Sequence, residues 1–159
     1  FHSCLQGVSP TPQLTQTLTR LHQAGFKQGI LGDGQVFTLI QLQRAWSPSS
    51  QQVALQTVLL PSLSTFSYEA GLRLPSPSLI ARSIKQFAKL GIGPDEILFV
   101  SSRMDFGIVA AKRAGMSTAL YAEDQWGLQI EDPAQLKNSE LKPRRLITKL
   151  KQIPELLEV

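Results

Sequence analysis

One cysteine and two histidines are all that this 159-residue chain holds of the residues that most often build thiolate, imidazole or metal chemistry. Cys4 alone cannot close an internal disulfide, and it cannot supply a thiolate zinc cluster. That usage is compatible with a reducing compartment, and a cytoplasmic location is expected. Cys4 itself reads as a small apolar residue rather than a reactive thiol. His2 and His22 leave little material for a His-rich metal site or a Ser/His/Asp triad. No apolar run approaches the roughly 18–20 residues of a membrane span, so no membrane association is expected. The opening "FHSCLQGVSP" has neither a basic n-region nor a long apolar core, so no signal peptide is visible. The first residue is Phe1 rather than Met, which predicts a processed or trimmed product with residues upstream.

What is present reads as globular. Hydrophobic residues make up 42% and charged residues 18%, enough apolar material for one domain with a real core. The formal charge is +4. Much of the basic excess lies near the end, at Lys137, Lys142, Arg144, Arg145, Lys149 and Lys151. No aromatics are interleaved with it and it matches no groove-reading motif, so a solvated face is expected and nucleic acid is not.

Strands and helices alternate along the chain. Thr11-Pro12 pairs a capping hydroxyl with proline at the first helical position. Leu14, Leu18 and Leu21 then share one face, and Gly25 supplies the stop. "FKQGIL" predicts a strand ending at Leu31, followed by the tight turn "GDGQ". Gln35 to Trp46 predicts a helix with Val36, Leu39, Ile40 and Gln43 to Trp46 on its apolar stripe, ended by Ser47-Pro48. "WSPSSQQ" is the most loop-like stretch, and Thr57 to Leu60 is the next strand candidate. Ser76-Pro77 repeats the helix start, with Ile80, Ile84, Phe87 and Ala88 on one face and Gly91 as the stop. A strand follows at Ile97 to Val100, then a polar turn, a helix to Gly115 and the strand "STALYA". Leu146, Ile147, Leu150 and Ile153 predict a last helix, broken by Pro154. Ile84, Phe87, Ile97, Phe99 and Ile108 are expected in one core, and Trp46 and Trp126 read as packing residues. The rhythm predicts βαβ units and a parallel sheet with helices on both faces.

The segment "QLTQTLTRLHQAGFKQGILGDGQ" resembles the stretch of haloacid dehalogenase-like (HAD) hydrolases leading into their second motif. "LPSPSLIARSIKQFAKLGIGPDEILFV" resembles their third motif with its helix and the next strand. "SSRMDFGIVAAKRAGMSTALY" is similar to the fourth motif, and "PRRLITKLKQIPELL" to the last helix. The resemblance implies a Rossmann-like α/β core over residues 1–159, the carboxyl-terminal part of the family fold, without its first strand or cap.

That family's chemistry requires an aspartate nucleophile with a second aspartate two residues on, which takes up the phosphoryl group covalently. It requires a serine or threonine and a lysine around the phosphoryl, and fourth-motif aspartates that hold Mg²⁺. Against that pattern the first strand with its Asp-x-Asp is absent. Gly32 stands at the hydroxyl position. Leu74 precedes Pro75 where the lysine would be, with Arg73 adjacent. Ser101-Ser102 replace the Gly-Asp pair, and Gly107 stands at the second acid.

These departures predict no catalytic residue, no metal ligand and no cofactor, with Mg²⁺ only if a complete hydrolase site exists. Gly32, Asp33, Gly34, Arg73, Ser101, Ser102, Arg103 and Asp105 are the candidate anion or ligand contacts of the remaining cleft. Asp33 reads as a turn residue or an acid. Asp105 reads as a helix cap or a salvaged ligand. Ser101, Ser102 and Arg103 would form a cradle of donors. The resulting expectation is a non-catalytic binding, scaffold or assembly module with a protein partner or a second copy. The alternative is a HAD-type phosphatase or hydrolase whose nucleophile segment lies outside these residues. In either case the absent strand leaves two rows of backbone groups to be satisfied.

Overall fold

The computed structural model describes residues 12–46, 54–123 and 128–159. His2, Cys4, the Thr11 cap, the Ser47-Pro48 stop, most of the "WSPSSQQ" loop and Trp126 lie outside them. Helix α1 (Pro12–Gln23) ends as its sequence predicts, with Gly25 at φ +90° and the Phe26 N–H donating back to the Leu21 carbonyl. Strand β1 (Leu31–Gly32) follows, then α2 (Thr38–Ala45) and the short α3 (Leu55–Val58). Strand β2 (Thr65–Phe66) runs into α4 (Ser67–Ala70), and α5 (Pro77–Ala88) leads to β3 (Leu98–Ser101). A π-helical turn at Met104–Ile108 opens into α6 (Val109–Arg113), followed by β4 (Ser117–Tyr121), β5 (Arg145–Ile147) and α7 (Gln152–Leu156).

The strands form two parallel sheets, β1-β2 and β3-β4-β5, and β1 is not bonded to β3. Alternation along β4 divides the interior. Ala119 joins Leu21, Ile147 and Ile153 under α1 and α7, while Leu120 joins Met104, Ile108 and Val109 on the opposite face. Beside the latter lie Ile80, Ile97, Ala111 and Met116, with Ile84, Phe87 and Phe99 against them. Four of the five residues expected in one core therefore share it. Ile108 sits in the adjoining cluster, and Phe99 touches both.

Three local expectations are corrected. Thr57 to Leu60 is not a strand: Leu55–Val58 is helical, and Val58 and Leu55 pack on the buried Trp46. So short an apolar run suits either state, and packing on Trp46 selects the helix. The tail is strand before it is helix. Arg145–Ile147 pairs with Ala119–Tyr121, burying Ile147 and exposing Leu146, a period of two that mimics the start of a helical stripe. Pro154 lies in the first turn of α7, where its missing N–H costs nothing. The stripe of α2 is also less buried than its spacing suggests, for Val36, Phe37 and Ile40 face solvent and no residue of Thr38–Ala45 is buried. No helix among the described residues is long and apolar enough to cross a membrane.

Candidate functional site

The carboxyl ends of β1 and β3 present two loops to one region, the position where parallel α/β sheets hold their ligands. From β1 come Gly32, Asp33 and Gly34. From β3 come Ser101, Ser102 and Arg103. Asp33 joins them. Its Oδ1 accepts the Leu74 N–H at 2.9 Å, and its Oδ2 faces the Arg103 Nη1 at 3.8 Å. The turn carrying Leu74 and the exposed Arg73 is thereby tied to the same place. Asp33 is thus a bridge across 41 positions of sequence rather than a residue that only closes its own turn. A partly exposed ion pair at this distance adds little stability, so its effect is chiefly to set where Arg103 points.

Arg103 is held from three sides. Its N–H donates to Ser101 Oγ at 3.1 Å, its guanidinium lies 4.7 Å from the Phe106 ring centroid, and Asp33 faces its tip. Its Nε is buried without a hydrogen-bond partner among the described residues, while 39% of the side chain remains exposed. The exposed part of this cation suits an anionic substrate group. The backbone cradle is less available than expected. The Arg103 amide goes to Ser101, the Met104 amide to the Gln129 carbonyl, and the Ser102 carbonyl accepts from Gln129.

Asp105 neither caps the helix nor faces the site. Its Oδ2 accepts the Glu131 N–H at 2.8 Å and its Oδ1 accepts from Gln135 Nε2, which fastens the turn to the segment at 128–136. Sequence reasoning missed Gln129 and Gln135, which belong to no motif. Gly107 has a packing reason for being glycine. A Cβ there would come within 2.5 Å of Ser101 Oγ and 2.9 Å of Ser101 Cβ, so any side chain collides with the end of β3. Gly34 is crowded in the same way, 2.7 Å from Phe66 Cδ1.

Gly32 is different, because a Cβ there would meet nothing within 4 Å. Gly32→Ser is therefore expected to leave the unfolding free energy within about 0.5 kcal/mol of the parent while placing a hydroxyl beside the site. Urea denaturation checks this, and a loss of about 2 kcal/mol or more would show that the loop does not run as described.

No family model matches the chain. Among curated proteins it is 28% identical over 111 residues to the glyceraldehyde 3-phosphate phosphatase of Methanopyrus kandleri, covering 70% of this chain and 42% of that one. Among solved structures it superposes on YfnB of Bacillus subtilis, assigned to the HAD hydrolases and bound to magnesium. There the TM-score is 0.72 at 16% identity, over 94% of this chain and 56% of that one. It superposes also on the L-2-haloacid dehalogenase of Xanthobacter autotrophicus with a TM-score of 0.69 at 24% identity, over 98% of this chain and 64% of that one. The chain therefore spans less than two thirds of the length of each.

These likenesses correct the expectation of a non-catalytic binding, scaffold or assembly module. The relative is named a phosphatase, and nothing found supports a pseudoenzyme or a protein–protein interaction role. The expectation rested on the substituted motif positions at Gly32, Leu74, Ser102 and Gly107, whereas the match itself reaches 42% of the relative's length. The expectation of no cofactor meets a magnesium-bound neighbour. Among the described residues the oxygen donors do not make a Mg²⁺ site by themselves. Asp33 and Asp105 are each engaged as described, and no group of three His, Cys, Asp or Glu among the described residues could hold a metal. The parallel α/β architecture and its neighbours place the chain in the core fold of the haloacid dehalogenase-like hydrolases.

Proposed function

We propose that this chain is the carboxyl-terminal part of a HAD-type hydrolase core that cleaves a phosphate monoester, its aspartate nucleophile supplied by a segment outside these 159 residues. The observation that carries the reading is the relative named a phosphatase, matched over 70% of the chain. The geometry supports it. Arg103 stands at the carboxyl ends of the parallel strands with part of its side chain exposed, and its guanidinium suits a phosphoryl oxygen by a charge-assisted hydrogen bond. Asp33 aims the guanidinium, and Arg73 adds positive charge beside Leu74.

The test uses the polypeptide or assembly that contains both these residues and the nucleophile segment, assayed on an aryl phosphate with and without Mg²⁺. Arg103→Ala is expected to lower kcat/KM by about 10²-fold, the scale of removing one transition-state donor. Asp33→Asn should lower it less, because it loosens the aim of Arg103 and leaves the charge. Absence of turnover in the complete protein, or an Arg103→Ala variant as active as the parent, would overturn the reading.

A further inference from the structure

The basic residues near the end of the chain read in sequence as a solvated face, yet the fold gathers two of them with a third from α6. An open recess of about 590 Å³ lies at the amino ends of β3 and β4. Lys112, Lys142 and Arg144 line it, with Asp95 as the one carboxylate of the lining. Ser117 and Thr118, where β4 begins, line it as well. The length of β4, about 13 Å at 3.3 Å per residue, separates this end of the sheet from the end that carries Arg103.

Two of the three cations are fixed in place. Lys112 Nζ donates to the Ser139 carbonyl at 3.1 Å and to the Lys142 carbonyl at 2.7 Å, which clasps that stretch to the end of α6. An ammonium has three donors, so the two carbonyls leave it one. Arg144 is held twice. Its N–H donates to Oγ1 of the buried Thr118 at 3.3 Å, and its Nη1 donates to Ser117 Oγ at 3.0 Å. The Ser117 hydroxyl in turn donates to the Asp95 carbonyl at 3.3 Å, so its proton is spent and its oxygen serves the guanidinium.

Asp95 does not neutralise the group. Lys112, Lys142 and Arg144 make no ion pair among the described residues, and a Cβ built on Gly93 would lie 2.9 Å from Asp95 Oδ1, so that carboxylate turns toward Gly93. Three cations against one acid leave the lining at +2. Like charges held around one concave space repel, and a bound anion removes that cost.

We infer that this recess is a binding site for a dianionic oxyanion, a phosphate group, separate from the cleft of Asp33 and Arg103. The guanidinium of Arg144 offers its remaining fork of donors, and Lys112 and Lys142 supply point charges. The space exceeds what one phosphate fills, so the group enters either as free phosphate or as the phosphate end of a small ester. The inference goes beyond the proposed function and stands on other residues, so it holds or fails whether or not the complete protein is a hydrolase.

The test is amide NMR on the complete polypeptide that carries these residues, titrated with sodium phosphate at an ionic strength held constant by NaCl. The Gly115, Ser117 and Arg144 amides are expected to shift saturably with a Kd of about 1 mM or tighter. NaCl alone should leave them unmoved. The double variant Lys142→Ala/Arg144→Gln alters two exposed side chains, and it should weaken binding by about tenfold or more with the rest of the spectrum unchanged. Arg103→Ala, in the cleft, should leave the titration of these amides as it is. Tighter binding of glycerol phosphate than of inorganic phosphate would make an ester the ligand, and equal or weaker binding would make it free phosphate; either result upholds the site. No saturable shift, an equal shift in NaCl alone, shifts spread evenly over Arg113, Lys149 and Lys151, or a double variant that titrates like the parent would overturn it.

Discussion

Replacing Gly29 with alanine is expected to destabilise the fold by about 3 kcal/mol, the upper end of what overpacking a well-filled interior costs. A Cβ at Gly29 would stand 2.3 Å from the Leu63 carbonyl oxygen, 2.7 Å from its carbon and 2.9 Å from Leu63 Cβ. Two of these atoms are backbone, so no rotamer change relieves the contact. Leu63 cannot retreat cheaply either, since its own side chain is buried at 2% exposure and Leu60 to Ser64 is threaded by backbone hydrogen bonds. The expected fall in melting temperature is roughly 6–12 °C for a domain of this size. Gly32→Ser, three positions on and facing open space, is the internal control. A Gly29→Ala variant within about 0.5 kcal/mol of the parent by urea denaturation would mean that β1 does not approach the Pro61–Leu63 turn as described.

Phe66→Ala should cost about 3–5 kcal/mol, the range for removing a buried phenyl ring. Phe66 is 2% exposed, stacks on Tyr68 with centroids 5.8 Å apart, and its ring edge lies against Gly34. Its loss would leave a cavity directly under the Gly32–Gly34 loop, so the damage reaches the site as well as the stability. Phe66→Leu, which keeps much of the volume, should cost clearly less. Equal losses for the two variants by chemical denaturation, or none for either, would show that the ring does not fill that space. Against a typical domain stability of about 5–15 kcal/mol, the alanine variant would be marginal at physiological temperature.

The features legible from sequence were those written within a few neighbouring residues. The Pro77 start and Gly91 stop of α5, the αL glycine after α1 and the apolar core of β4 depend on local backbone chemistry, and the structure has them where the sequence places them. The alternating rhythm of strands and helices was sufficient for a parallel α/β core, because crossovers between parallel strands need intervening helices. The segments "GDGQ" and "SSRMDFG" lie in the two loops that Asp33 and Arg103 join.

The remaining features depended on partners far apart in the chain. Whether Thr57 to Leu60 coils or extends is settled by Trp46, and whether Leu146 begins a strand by its pairing with Leu120. Asp33 finds Leu74 across 41 positions and Asp105 finds Glu131 across 26, so neither carboxylate does what its immediate neighbours suggest. At Gly107, where the resemblance would place an acid, a side chain would collide with Ser101. By itself the sequence determined the class of fold, the bounds of α5 and the strands β3 and β4 with the turn between them. Only the tertiary structure decided which groups of the Gly32–Gly34 and Ser101–Arg103 loops are engaged and that β1 and β3 lie in separate sheets, since both depend on long-range contacts.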